Sequence, residues 1–196
     1  IDDSILNVLD IVNLVNIIVG DNLSRGIAAS NATLFYGNGI FKYEADGEIA
    51  GIQIETTGDY SITGNFLPAG WDIVNNENII ILYSLDGSAL EDDKLFEYTG
   101  DLTVETAIVA DWFESVISVR STMLPTEYSL SAAYPNPFNP VTNLGFALPQ
   151  DDNVTLVVYN LGGKVVETLV SNSYFTAGYH SVIWNASHQS SGVYFV

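Results

Sequence analysis

Residues 132–142 read AAYPNPFNPVT, and this stretch divides the chain. Half of the six prolines fall in it, at Pro135, Pro137 and Pro140, with Asn136 and Asn139 between them. Proline holds φ near −65°, carries no backbone donor and pushes the residue before it toward extended geometry. Tyr134 to Pro140 is therefore expected to run as a stiff, extended, non-helical connector that introduces a separate module.

On its C-terminal side the sequence reads as short strands: VTNLGFALP, NVTLVVYNL, KVVETLV, GYHSVIWNA and GVYFV. Between two of them stands NLGGK, where Gly162 and Gly163 suit the positive φ of a hairpin turn. On its N-terminal side eight more strands are expected between residues 22 and 120: ATLFY, GIFKYE, EIAGIQIET, YSITGNF, NIIILYSL, KLFEYTG, LTVETAIVA and SVISVR. Turn signals GNG, ADGE, TTGD and LDGS separate several of them, a spacing that argues for a β-sandwich. Residues 1–20, IDDSILNVLDIVNLVNIIVG, form the one expected helix. Its polar residues Asn7, Asp10, Asn13 and Asn16 make a narrow stripe, which implies burial on most sides, and Gly20 fits a C-terminal cap. The fold class expected is mainly β: two immunoglobulin-like β-sandwich domains, at 21–122 and 123–196, preceded by a short apolar helix at 1–20.

The chain of 196 residues carries 24 acidic against five basic residues, a net charge of −19. Such a polyanion repels phosphate backbones and anionic lipid heads, so nucleic acid and membrane insertion are excluded as expectations. Of the acids, 17 lie from Asp21 to Glu114, which places most of the charge on the first sandwich. There is no cysteine, which removes disulfides, thiolate metal sites and cysteine nucleophiles together. No apolar run is long enough to span a bilayer, and no starting methionine or signal peptide is present, so a mature chain or a fragment is expected.

The order YPNPFNPVT, LP, VTLVVYNLGGKVV, AGYHSVIWNA and SGVYFV resembles the type IX secretion C-terminal sorting module, an immunoglobulin-like tail, over residues 124–196. The resemblance implies export across the outer membrane, with the tail read by the secretion machinery. Recurrent positions of that module fall on Tyr134, Pro135, Asn136, Pro137, Tyr159, Gly162, Gly178, His180, Trp184, Ser191, Gly192 and Tyr194. Members of the family continue past the SGVYF strand into a last strand, so an open sheet edge is expected where this sequence stops. The first helix is similar to half of a dockerin repeat. There Asp3, Asn7 and Asp10 fall on ligand positions of an incomplete calcium loop, making calcium the one candidate cofactor. The middle region, with GEIAGIQIE and DDKLFEY, resembles a cohesin.

Reactive chemistry is sparse. His180 and His188 are the only histidines; the first is expected in a structural role and the second as a solvated loop residue. No G-x-S-x-G elbow or H-E-x-x-H motif occurs. Acid pairs at 44–48 and 91–93 have the residue types a glycosidase uses, or those of a cation site, against a default of solvated turns. Trp71, in LPAGWD, is a candidate glycan contact, whereas Trp112 and Trp184 read as core residues.

The function expected is that of a secreted, non-catalytic structural or adhesive protein at the cell surface or outside the cell. Its partners are then other proteins, copies of itself through β-edges and the N-terminal helix, and the secretion machinery. The alternative is a carbohydrate-binding or cohesin/dockerin-type module of a larger secreted enzyme, with polysaccharide as partner. A hydrolase is a third class, for which the sequence offers only the acid pairs.

Overall fold

Strands dominate the computed structural model, which describes residues 7–20, 26–90 and 92–196, and the one helix lies near the N-terminus. Contacts between residues separate the chain into two units, Ile1–Met123 and Leu124–Val196.

The first unit begins with α1 (Val8–Val19) and continues through β1 (Asn31–Gly37), β2 (Ile40–Ala45), β3 (Gly51–Thr57), β4 (Tyr60–Asn65), β5 (Trp71–Asn76), β6 (Ile79–Ser84), β7 (Lys94–Gly100), β8 (Thr103–Ala110) and β9 (Val116–Met123). Hydrogen bonding follows the order β4-β7-β2-β1-β9-β8-β3-β6-β5. Each strand pairs antiparallel except at β1 and β9, which run parallel from Asn31 opposite Ser118 to Tyr36 opposite Met123. Strand alternation supplies the core. Leu34, Phe41 and Phe96 from one half meet Ile52, Ile54, Ile80 and Leu82 from the other in a single buried cluster, so the sheet closes into a sandwich. Phe41 and Phe96 stack with ring centres 4.7 Å apart.

Helix α1 covers the outer face of β3, β6 and β8. Val8, Val12 and Val15 fall on one side at helical spacing and pack on Ala50, Ala110 and Trp112. Two polar contacts pin it: the Val8 N–H donates to Gln53 Oε1 at 3.0 Å, and Asn16 Nδ2 donates to the Trp112 carbonyl at 3.1 Å. Gly20, at φ 75°, ends the helix with its N–H on the Asn16 carbonyl. The expectation of burial on most sides is corrected here, because only one sheet face lies against the helix and Leu14, Ile17 and Ile18 remain exposed. Among the described residues no helix is long and apolar enough to cross a membrane.

The second unit holds β10 (Ser129–Leu130), β11 (Val141–Leu148), β12 (Asp152–Asn160), β13 (Val165–Phe175), β14 (Gly178–Asn185) and β15 (Tyr194–Phe195). They form two three-stranded sheets, β10-β11-β14 and β13-β12-β15. Leu144 and Trp184 of the first pack with Leu156, Val158 and Val170 of the second, again a sandwich arrangement.

Two elements, β5 and β10, differ from the strand expectations. Sequence 71–76, WDIVNN, is not among the expected strands, yet all six residues pair with β6. The proline stretch is also not an extended connector. It bends back inside the second unit, all three X–Pro bonds are cis, and Tyr134 exchanges backbone hydrogen bonds with Asn143 at 3.0 and 2.9 Å. Those two bonds make Tyr134 a bridge onto β11.

Candidate functional site

A cleft of about 520 Å³ opens at the end of the second unit where the proline loop meets the C-terminal strand. Its geometry starts from β11 and β14, whose register sets Thr142 opposite Trp184. The Thr142 hydroxyl donates to the Pro135 carbonyl at 2.8 Å and so ties the proline loop to the sheet. Trp184 is buried in the floor. Phe138 leans on it at 5.3 Å between ring centres, and Tyr194 meets it edge-on at 5.1 Å. The indole N–H is satisfied by Glu167 Oε2 at 3.0 Å, so a large ring sits in the core without an orphaned donor. Around the rim stand Asn136, Asn139, Ser187, Gln189 and Ser190. No acidic or basic side chain lines the cleft. An apolar floor with an amide and hydroxyl rim can hold a peptide segment by shape and hydrogen bonds, and supplies no acid–base pair.

Of the recurrent positions singled out in the sequence, Asn136, Pro137, Trp184, Ser191, Gly192 and Tyr194 gather at this cleft. Pro135 acts beside it through its carbonyl, and Tyr134 is 80% exposed on the neighbouring surface. The others lie apart. Gly162 is in the β12–β13 turn, where Asn160 Oδ1 accepts from its N–H and from that of Lys164. Tyr159 pairs with Val165 and Phe195. Gly178 starts β14 at φ 143°, a conformation that favours glycine. His180 is packed between Phe146 and Phe175, its Nε2–H donating to the Thr176 carbonyl at 2.7 Å. His188 is exposed. Sequence reading did not single out Phe138; the only signal was an aromatic residue framed by two Asn-Pro or Pro-Asn pairs.

Residues 132–196 match the family model of the secretion system C-terminal sorting domain. The match spans every recurrent position named above. A sorting tail of this type directs its protein out of the cell through the type IX system, so the protein is secreted, to the cell surface or the extracellular space. The sorting tail also implies contact with the secretion machinery. The dockerin-like and cohesin-like resemblances gain no support from this comparison. No curated protein matches the chain.

The remaining candidates are placed as follows. Asp3 lies outside the described residues. Asn7 and Asp10 close a capping box on α1: Asn7 Oδ1 accepts from the Leu9 N–H at 2.8 Å, and Asp10 Oδ2 accepts from the Asn7 N–H at 2.9 Å. Among the described residues no group of three or more His, Asp or Glu stands together as a metal cluster. Trp71 requires correction as a glycan platform. It opens β5, is only 7% exposed, packs in the first unit's core and donates its indole N–H to the Ser88 carbonyl at 2.7 Å.

Of the acid pairs, Asp46, Glu48 and Asp92 hold backbone N–H groups. Asp46 Oδ1 accepts from the Ser30 and Asn31 N–H groups at 2.6 and 2.9 Å, and these bonds keep its carboxyl below the usual carboxylate range. Glu48 Oε2 accepts from the Gly26 N–H at 2.8 Å. Glu91 is outside the described residues, while Asp93 pairs with Lys42 at 3.4 Å. Burial and the adjacent Asp92 push the Asp93 carboxyl up; hydrogen bonds from Asp93 and the Lys94 N–H hold Asp92 down. Burial, with the Asp93 and Asp92 charges, pushes the Tyr43 hydroxyl up to about 12.

Proposed function

We propose that this protein is a secreted, non-catalytic structural or adhesive component of the cell surface, whose second unit is the tag read during export and whose first unit works by contact. The observation that carries the reading is α1. It is held on the sheet by Val8, Val12 and Val15 yet turns Leu14, Ile17 and Ile18 outward from an otherwise acidic unit. An apolar strip on a polyanion suits protein contact, including contact with copies of the same chain. The groups singled out for chemistry support the same reading, since Asp46, Glu48, Asp93 and His180 are engaged in holding backbone or partner side chains.

Sedimentation velocity of the full chain over a concentration series tests it. Reversible association is expected, and weaker association in an Ile17→Lys, Ile18→Lys variant or in one altered at a sheet edge. A chain that stays monomeric at the highest attainable concentration and hydrolyses a glycan or peptide substrate would overturn the proposal. Export is tested separately, by removing residues 124–196 from the gene in a bacterium that has the type IX machinery. The truncated protein is expected to stay inside the cell.

A further inference from the structure

Among the described residues strand β14 has one neighbour, and the hydrogen bonds on the far side of that neighbour fix which way its backbone faces. Asn143 exchanges both backbone bonds with Tyr134, and the Gly145 carbonyl accepts from the Ser131 N–H. Those groups of β11 therefore point away from β14. In an antiparallel ladder, bonded and non-bonded pairs alternate. The residues opposite Asn143, Gly145 and Ala147 are Ile183, Ser181 and Tyr179. Their N–H and C=O groups face out from the free edge of the sheet.

Open edges are normally blunted by lysine, proline, inward charge, bulges or shortness. The other edges among the described residues show such devices. β13 carries Glu167 and pairs with β12 through three register shifts, β4 is bulged between Ile62 and Gly64, β5 bears Asp72, and β10 and β15 have two residues each. β14 shows none of them. Its eight pairs with β11 are regular, and Tyr179 and Ile183 are 68% and 69% exposed. Electrostatics favours one occupant in particular. In a chain of net charge −19, residues 168–196 contain no Asp, Glu, Lys or Arg, and the carboxylates beside β14, Asp151 on the Ala177 N–H and Glu167 on the Trp184 indole, lie at its two ends, so two copies meeting at its middle face less repulsion than opposes contact elsewhere.

We infer that β14 is a self-pairing strand, joining two copies antiparallel about a two-fold axis at Ser181; this rests on the self-association proposed above and adds to the α1 strip a sheet edge of the second unit. The register follows from the backbone. Outward-facing residues must oppose outward-facing residues, and centring on Ser181 uses all three, with Ser181 opposite its twin and Tyr179 opposite Ile183 on both sides of the axis. The aromatic–β-branched pairs then add side-chain contact on the outer face, and the two three-stranded sheets become one of six.

The absence of cysteine makes the test direct. In a Ser181→Cys variant of the full chain, mild oxidation is expected to give a disulfide-linked dimer, because directly opposed residues lie within disulfide reach. A Ser171→Cys control on β13 is expected to stay largely uncrosslinked. A Ser181→Pro variant removes an outward N–H and leaves the β11 bonds in place. It is expected to associate roughly tenfold or more weakly, from the loss of about two hydrogen bonds and the closeness of the strands. Wild-type association with neither crosslinking at position 181 nor weakening by Ser181→Pro overturns the β14 assignment while leaving self-association intact. A wild-type chain monomeric at every concentration overturns both. Should the proline variant fail to fold, the ratio of crosslinking between positions 181 and 171 decides alone.

Discussion

A methyl group placed on Gly51 would lie 2.5 Å from Cγ2 of Val8, so α1 rests directly on the backbone of β3. Helix and strand approach this closely only because the strand residue has no side chain. Gly51→Ala is expected to lift the first turn of α1 and cost about 1–3 kcal/mol, the usual penalty for overpacking. Urea unfolding followed by circular dichroism checks it, and a Val8→Ala background should reduce the penalty.

Removing the cap of the same helix is expected to act independently of metal. Asn7→Ala should lower stability by about 1 kcal/mol, since one first-turn N–H loses its acceptor. Because Asn7 and Asp10 already direct oxygens at backbone N–H groups, the loss should be the same in millimolar calcium as in a chelator. Paired melts in the two buffers measure this.

Trp184 joins the two halves of the second unit through Phe138, Tyr194 and Glu167. Trp184→Ala is expected to cost about 3–5 kcal/mol. Glu167→Gln, which keeps an oxygen acceptor for the indole, should cost far less. If the cleft is what the secretion machinery reads, an Asn136→Ala, Gln189→Ala variant should fold normally yet accumulate inside the cell. Export assays beside thermal melts separate the two effects.

Tyr43 gives the alkaline side of the stability curve. Its hydroxyl titrates near 10 in an unfolded chain and at about 12 in the folded one. The folded state therefore holds the proton longer; the contribution is complete below pH 10 and is lost as pH rises toward 12. Unfolding free energy should fall across that window, and Tyr43→Phe should flatten the fall. Asp46 acts at the other end with opposite sign. Its depressed carboxyl stabilises the fold above the usual carboxylate range, and that contribution disappears as pH drops below it.

Period-two alternation made most strands readable, because one face of each sheet is dry and the other wet. KLFEYTG coincides with β7, and ATLFY falls within β1. The strand WDIVNN escaped because Asp72, Asn75 and Asn76 carry turn chemistry, and only pairing with the apolar IIILYS of β6 recruits them. The same blindness applied to Trp71, whose neighbours Pro68 and Gly70 signal a loop while its ring enters the core. At the cleft, individual positions were legible as motif residues, but their convergence was not. Phe138 and Trp184 sit far apart in the chain and meet only because β11 and β14 are adjacent. Acid roles were hidden for a similar reason, since Asp46 holds the N–H groups of Ser30 and Asn31 across a hairpin.

The parallel pair of β1 and β9 has a mechanical meaning. A tension drawn between the start of β1 at Asn31 and the end of β9 at Met123 runs along both strands in opposite directions, so the rungs from Asn31–Ser118 to Tyr36–Met123 are loaded side by side. An antiparallel hairpin pulled at its two ends unzips one rung at a time, whereas these must yield together. For a protein tethered downstream of Met123 and tugged from its other end, the first sandwich would behave as a latch rather than a zip.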